Sequence, residues 1–136
     1  MECIQSLDKH SDTIWCCKFS PNKKILGTAS SDKTIKLWIK SNNNNKYKCI
    51  QTLNGHTKTV RNISWYGNNI FASAGFDKMI GIWKRINDNN NNNESIEFEL
   101  IDMLDYSEKE VKSVSWNGNI LASCTRDKFI YIYEME

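Results

Sequence analysis

The chain has 136 residues, of which 40% are apolar and 11% aromatic, enough for about one domain with a hydrophobic core. Its 18 basic and 16 acidic residues leave a net charge of +2 and form no basic run, so we expect no nucleic-acid partner. Because no stretch approaches 18 apolar residues and the amino terminus carries no apolar leader, we also expect no membrane association and no export.

Three copies of one sequence unit follow each other along the chain. The best-matched part reads ILGTASSDKTIKLW at 25–38, IFASAGFDKMIGIW at 70–83 and ILASCTRDKFIYIY at 120–133. A second part reads CIQSL at 3–7, CIQTL at 49–53 and, more loosely, LIDML at 100–104. Such a repeat indicates a fold built from similar supersecondary units.

Each unit predicts short β-strands, because runs rich in Ile, Val, Trp and Tyr alternate with polar turns. First strands are expected at 14–19, 60–65 and 111–116, and second strands at 25–30, 70–75 and 120–124. Third strands are expected at 33–39, 78–84 and 128–133, and fourth strands at 47–53 and 98–104. Helix signals are almost absent, so the fold class is all-β.

Two Asn-rich tracts, at 41–46 and 87–94, both fall between a third and a fourth strand. They carry too little apolar surface to offset the entropy of ordering them. We therefore expect mobile loops outside the packed body.

A repeat of about 45 residues with four strands, a His before the first strand and an Asp-x-x-x-x-x-Trp ending resembles the WD40 repeat of β-propeller blades. The resemblance implies a hydrogen-bonded tetrad in each blade, from His to Ser or Thr, turn Asp and Trp. The first two tetrads are His10, Thr28, Asp32 and Trp38, then His56, Ser73, Asp77 and Trp83. The third copy keeps Ser123 and Asp127 but has Ser107 for the His and Tyr133 for the Trp.

The resemblance implies about three four-stranded antiparallel blades in an incomplete ring. Blade 1 is expected at about 10–53, blade 2 at about 56–104 and blade 3 at about 107–136, with 3–7 as a stray outer strand. Three blades fall below the four to eight that close a ring. We therefore expect either a fragment of a larger propeller or copies that exchange strands, and a well-behaved folded monomer would contradict both.

The succession Phe76-Asp77 and then Cys124-Thr125-Arg126-Asp127-Lys128 is similar to the WD-repeat family of cytosolic iron-sulfur protein assembly. That likeness implies a non-catalytic scaffold in the cytoplasm, with the nucleus as a second compartment. Its partners would be targeting-complex subunits and apo iron-sulfur proteins. The alternative is a general WD40 adaptor of a ubiquitin-ligase or chromatin complex.

Five cysteines, at 3, 16, 17, 49 and 124, form an odd set without CxxC spacing. This pattern favours reduced thiols over disulfides, zinc or an iron-sulfur cluster, so we expect no cofactor. Cys3, Cys17 and Cys49 are each expected to be a small buried residue, with Cys17 on an apolar face beside Trp15 and Phe19. A Cys-His nucleophile is not expected, because the tetrads use both histidines.

The WD40 resemblance places the partner surface at the turn before the third strand and the loop into the first. Three positions per blade point there: Thr13, Trp15 and Ser31; Thr59, Arg61 and Phe76; Glu110, Lys112 and Arg126. Trp, Phe and Arg are the types enriched at interface hot spots. The alternative is that Trp15 belongs to the core, and that Arg61 and Lys112 lay their aliphatic parts over apolar surface and keep their charges in solvent.

Overall fold

A computed structural model describes residues 1–86 and 96–136 of the chain, and the Asn-rich loop predicted at 87–94 lies outside these residues. The described part contains three antiparallel sheets. The first consists of β1 (Ile14–Phe19), β2 (Ile25–Ser30), β3 (Ile35–Lys40) and β4 (Tyr47–Leu53). The second consists of β5 (Val60–Tyr66), β6 (Ile70–Gly75), β7 (Ile80–Arg85) and β8 (Phe98–Leu104). The third has β9 (Val111–Asn117), β10 (Ile120–Thr125) and β11 (Ile130–Glu134).

The third strands begin two residues later than predicted, because the Asp-Lys turns extend further. In each turn the Lys has a positive φ: 75° at Lys33, 74° at Lys78 and 75° at Lys128. The carboxylate of the preceding Asp accepts the backbone N–H two residues on, as in the 2.9 Å bond from Thr34 to Asp32. This local bond stabilises a conformation that L-residues seldom adopt.

The hydrophobic core lies between neighbouring sheets. Apolar side chains of the first sheet, such as Leu37, share one cluster with Val60 and Ile63 of the second. A second cluster joins the second and third sheets through residues such as Ile82 and Val114. β1, β5 and β9 pack side by side, so the sheets form an open arc of three blades and not a closed ring.

Residues 3–7 form no strand, although sequence analysis predicted an outer one. A fourth strand needs the free edge of a third strand, and in the described residues that edge is offered by β11, two sheets away. The segment is nevertheless anchored: Gln5 Nε2 donates to the carbonyl of Tyr47 at 2.9 Å, and the Tyr47 N–H donates to Gln5 Oε1 at 2.8 Å.

The first Asn-rich tract is a hydrogen-bonded turn with exposed Asn side chains. Its mobility stays a prediction. The Ser41 N–H donates to the carbonyl of Lys46 at 2.7 Å, and Asn45 adopts a φ of 60° to close the turn. Asn tolerates this left-handed conformation better than most residues.

A β-bulge interrupts each first strand, at Trp15, Arg61 and Lys112. A bulge inserts one residue and reverses the alternation of side chains that follows it. The predicted burial of Cys17 is wrong for a different reason: Cys17 is exposed, whereas Ile63 and Val114 at the same repeat position are buried, because no sheet among the described residues precedes the first one.

The expected burial of Cys3 and Cys49 also fails. Cys3 lies outside any sheet and is exposed, and Cys49 is half-buried. Cys124 occupies the position of Ala29 and Ala74, which are fully buried under the following sheet, but no sheet in the described residues covers Cys124.

Candidate protein-interaction site

A chain of hydrogen bonds supports the turn of each of the first two blades. In blade 2, His56 Nδ1 lies 2.9 Å from Asp77 Oδ2, and His56 Nε2 lies 2.7 Å from Ser73 Oγ. Trp83 Nε1 donates to the same hydroxyl at 2.8 Å. With the Nδ1 proton directed at the carboxylate, Nε2 accepts the hydroxyl proton, so each of these four side chains in blade 2 has its buried polar groups partnered.

Blade 1 repeats this geometry. His10 Nδ1 lies 2.8 Å from Asp32 Oδ2, and His10 Nε2 lies 2.7 Å from Thr28 Oγ1. Trp38 Nε1 donates to that hydroxyl at 2.9 Å. The four residues that the sequence pattern grouped in each of these blades are thus brought together.

Blade 3 does not form the same chain. Ser107 Oγ is a distant donor to Asp127 Oδ2, at 3.4 Å, and Ser123 Oγ is buried with no hydrogen-bond partner in the described part of the chain. Asp127 instead accepts bonds from the Thr125 hydroxyl and, at 2.8 Å, from the Tyr131 hydroxyl. Sequence analysis had singled out Tyr133, two residues further along the same strand.

The turn carboxylates are held ionised by these donors. Burial alone would raise the pKa of Asp32, but the hydrogen bonds from Thr34 and His10 outweigh it and hold the pKa below its usual range. For Asp77 the donor that outweighs burial is His56. The pKa of Asp127 is lowered to about 2, because donors that include Thr125 and Tyr131 outweigh the effect of burial.

In each blade, one backbone hydrogen bond joins the loop that enters the first strand to the turn that precedes the third strand. The donors and acceptors are Ser31 to Thr13 at 2.8 Å, Phe76 to Thr59 at 2.9 Å, and Arg126 to Glu110 at 3.0 Å. The nine predicted partner-facing residues consequently lie at one end of the arc, which we call the turn face. It consists of Thr13, Trp15, Ser31, Thr59, Arg61, Phe76, Glu110, Lys112 and Arg126.

The bulged residues connect adjacent blades across the turn face. The guanidinium carbon of Arg61 lies 4.8 Å from the ring centroid of Trp15, and Lys112 Nζ lies 4.4 Å from the ring centroid of Phe76. Both distances are typical of cation–π contacts. The bulges at Arg61 and Lys112 thus each direct a cation of one blade over an aromatic ring of the preceding blade.

Two further bonds fix side chains within single blades. Trp15 Nε1 donates to Ser31 Oγ at 2.6 Å, and Arg126 Nε donates to Glu110 Oε2 at 2.6 Å. The bond from Arg126 lowers the pKa of Glu110 to about 2. Trp15 is 45% exposed and the Arg126 side chain 57% exposed, so both contact solvent while held in place.

Asn62 of β5 connects the first strands of all three blades through its side chain. Sequence analysis did not single it out. Its Nδ2 donates to Cys16 Sγ at 3.5 Å, and its Oδ1 accepts the N–H of Val114 at 3.0 Å and the hydroxyl of Ser113 at 3.3 Å. It follows directly after the Arg61 bulge, and no feature of the repeat indicated this role.

The described residues, 1–86 and 96–136, contain no group of three His, Cys, Asp or Glu side chains placed to hold a metal ion. They also contain no helix long and apolar enough to cross a membrane. Chemically, the turn face offers aromatic rings, fixed cations and hydrogen-bonding groups at one end of the arc.

Comparison with known protein families agrees with the repeat seen in sequence and structure. The family described as "WD domain, G-beta repeat" matches residues 1–38, 47–84 and 99–134. The chain belongs to the WD40 family. The predicted all-β fold of WD40 blades in an open arc is thereby confirmed.

Among WD40 proteins, the chain is similar to curated relatives in iron-sulfur protein assembly. It is 34% identical over its full length to the "Probable cytosolic iron-sulfur protein assembly protein 1" of Kluyveromyces lactis, covering 41% of that protein. It is 37% identical to the protein of the same name from Eremothecium gossypii, covering 92% of this chain and 37% of the relative. A "Probable cytosolic Fe-S cluster assembly factor" of Schizosaccharomyces pombe is 30% identical, over 98% of this chain and 21% of the relative. The chain thus spans about two fifths or less of these relatives.

Proposed function

We propose that this WD40 chain is a non-catalytic scaffold of cytosolic iron-sulfur protein assembly. In this role it docks recipient apoproteins, alongside other targeting subunits, through the turn face. The observation that carries the proposal is that cationic side chains of this face are fixed in place: Arg61 over Trp15, Lys112 over Phe76, and Arg126 by Glu110.

The physical case for docking rests on preorganisation. A long cationic side chain loses conformational entropy when a partner immobilises it. Arg61 and Lys112 are already held over aromatic rings, and Arg126 is held by Glu110, so part of that cost is met before binding. Binding energy in protein interfaces concentrates on aromatic and Arg side chains of this kind.

The similarity to relatives named for cytosolic iron-sulfur assembly supports the same role and a cytosolic location. None of these names refers to the nucleus. Because the chain spans only part of those relatives, the turn face of three blades is the portion of the surface to which the proposal applies.

The test is capture of partners by the wild-type chain and by Arg126→Glu. Reversal of this charge places two carboxylates side by side, so we expect capture of apo iron-sulfur proteins to fall by at least tenfold with an unchanged melting temperature. Lys24→Glu, an exposed charge reversal in the turn between β1 and β2 at the opposite end of the blade, is the matched control. Unchanged capture by Arg126→Glu would contradict the proposal. Recovery of ligase or chromatin subunits in place of iron-sulfur enzymes would favour the adaptor function.

A further inference from the structure

A small cavity lies between the first and second blades, on the side of the arc opposite the turn face. It encloses about 210 Å³, and its lining includes Ile39 and Ile96. Both isoleucines are buried and belong to the apolar cluster that joins the two blades. Three lysines, Lys23, Lys24 and Lys40, line the same cavity. Because two neighbouring blades contribute to it, the cavity lies within the arc and not on the outer side of its first or last sheet.

The three lysines concentrate positive charge at this cavity. Lys23 and Lys24 lie in the turn between β1 and β2, and Lys40 is the last residue of β3. Their ammonium groups have no hydrogen-bond or ion-pair partner within residues 1–86 and 96–136, and none of the described residues that line the cavity is acidic. Like charges around one small cavity repel each other, so a bound anion would relieve the repulsion. The sequence does not predict this cluster, because the fold brings Lys40 to the other two.

Lys23 adopts a backbone conformation that favours glycine. Its φ is 66°, and the corresponding turns of the other two blades use Gly67 at 59° and Gly118 at 56°. Residues with a Cβ seldom adopt a positive φ, because the Cβ then lies too close to the backbone. Such strain at a non-glycine residue is characteristic of functional positions. The lysine in the first blade, where the other blades have glycine, thus indicates a use for its side chain.

Hydrogen bonds fix the turn that carries Lys23 and Lys24. The Lys23 N–H donates to the carbonyl of Ser20 at 2.8 Å, and the Lys24 N–H donates to Asn22 Oδ1 at 3.1 Å. The Asn22 N–H also donates to Asn68 Oδ1 of the second blade at 2.9 Å. The two lysines therefore extend from a backbone that is already held in place, so less conformational entropy is lost when a ligand binds.

The size and charge of the cavity favour a phosphomonoester group. Such a group carries close to two negative charges near neutral pH and three acceptor oxygens, whereas a carboxylate carries one charge and two oxygens. Each lysine ammonium offers three donors. Asn42 and Tyr47, which also line the cavity, carry an amide and a phenol that can donate further hydrogen bonds. A cavity of about 210 Å³ suits a compact dianion better than an extended acidic peptide.

We propose that this lysine cavity binds the phosphomonoester group of a small soluble compound. Lys23, Lys24 and Lys40 contact the phosphoryl oxygens. The apolar side chains of Ile39 and Ile96 limit the access of water and so strengthen the attraction. The cavity and the turn face lie on opposite sides of the arc, so the proposal does not depend on the docking of apoproteins.

The probe is glycerol 3-phosphate, titrated into the purified chain at near-physiological salt and followed by NMR of the backbone amides. We expect saturable shifts at Lys23, Lys24 and Lys40 but not on the turn face, and none with glycerol. Lys23→Gly and Lys40→Gln should each weaken binding at least fivefold. Lys23→Gly should not lower the midpoint of urea unfolding, because glycine adopts this φ readily. Lys33→Gly is the matched control: Lys33 has a φ of 75° in a turn at the other end of the same blade, and this variant should bind like the wild type.

Two charge reversals separate this site from the docking function. Lys24→Glu should lose binding of glycerol 3-phosphate and keep capture of apoproteins, whereas Arg126→Glu should do the reverse. An absence of saturable shifts would overturn the proposal, and so would equal weakening by Lys33→Gly and Lys23→Gly, which would show attraction to net charge alone. Tighter binding of hexaglutamate than of glycerol 3-phosphate would overturn it in favour of an acidic protein segment. Lysine-dependent binding to vesicles that contain phosphatidic acid, without binding of the soluble ester, would overturn it in favour of a membrane surface.

Discussion

The side chain of Gln51 holds the backbone of Phe98, in the neighbouring blade, through two hydrogen bonds. Gln51 Nε2 donates to the Phe98 carbonyl at 2.8 Å, and the Phe98 N–H donates to Gln51 Oε1 at 2.8 Å. A primary amide is suited to this contact, because it offers one donor and one acceptor to a peptide unit that offers the same. The bonds join the outer strands of two blades whose apolar contacts lie deeper in the arc.

Gln51→Ala should therefore destabilise the chain by about 1–3 kcal/mol, the usual cost of leaving buried polar groups without partners. Urea unfolding followed by circular dichroism measures the change. Gln5→Ala removes the same pair of bonds to Tyr47, but it releases a segment that lies in no sheet. We expect Gln5→Ala to increase hydrogen exchange in residues 1–7 with less effect on global unfolding. Equal decreases in the free energy of global unfolding in the two variants would contradict this account.

The tetrads give a second comparison between equivalent serines. Ser73 Oγ has hydrogen-bond partners in His56 and Trp83, and Ser123 Oγ is buried with none in the described residues. Ser73→Ala should lower the free energy of unfolding by about 1–3 kcal/mol, because it leaves His56 Nε2 and Trp83 Nε1 without their hydrogen-bond partner. Ser123→Ala removes a hydroxyl that is already unpaired, so its free energy of unfolding should change little or rise. Urea unfolding decides, and a loss in Ser123→Ala as large as in Ser73→Ala would contradict the structure.

The sequence was sufficient for the repeat, because strand and turn residues recur in register, and both fourth strands have the predicted bounds. It was not sufficient for the bulges at Trp15, Arg61 and Lys112, because an inserted residue changes strand pairing without a characteristic residue type. The exposure of Cys17 has another cause, because no sheet among the described residues lies before the first one. The Gln5 and Gln51 contacts were visible as a repeated CIQ, but a repeat does not show which blade the side chain reaches. The pairing of Arg61 with Trp15 likewise depends on how two blades pack.

Lowering the pH should destabilise the chain over a pH range that is set partly by the pKa of Asp127. Its pKa in the folded chain is about 2, against about 3.9 for an unfolded Asp. The unfolded state therefore binds protons more readily, so the stabilisation by this carboxylate is complete above about pH 4 and is lost as the pH falls through about 2.

Asp127→Asn should flatten the pH dependence of the free energy of unfolding between those limits and lower stability at neutral pH. Asp32, Asp77 and Glu110 keep part of the slope, because their pKa values are lowered too. Asp8→Asn, an exposed substitution away from the turns, is the control and should keep the wild-type slope. An Asp127→Asn variant with the wild-type slope would show that this carboxylate does not contribute.

Tyr131 takes over in blade 3 the part that a histidine plays in the other two, since its hydroxyl donates to Asp127 Oδ2 at 2.8 Å. That bond raises the pKa of Tyr131 to about 12, because ionisation would remove the donor and place two negative charges together. Tyr131→Phe should therefore remove one tyrosine that ionises near pH 12 from a spectroscopic titration. It should also move the pKa of Asp127, measured by NMR, upward from about 2.

Tyr133→Phe is the matched control, because Tyr133 lies on the same strand but has no hydrogen bond to Asp127 among the described residues. It should leave the Asp127 pKa in place and lower the Tyr131 pKa only slightly, because Tyr133 is the smallest of the causes that raise it. If Tyr133→Phe instead raised the pKa of Asp127 and Tyr131→Phe did not, the third blade would use the tyrosine that the repeat alignment favoured. The replacement of histidine by the hydroxyl of Tyr131 would then be wrong.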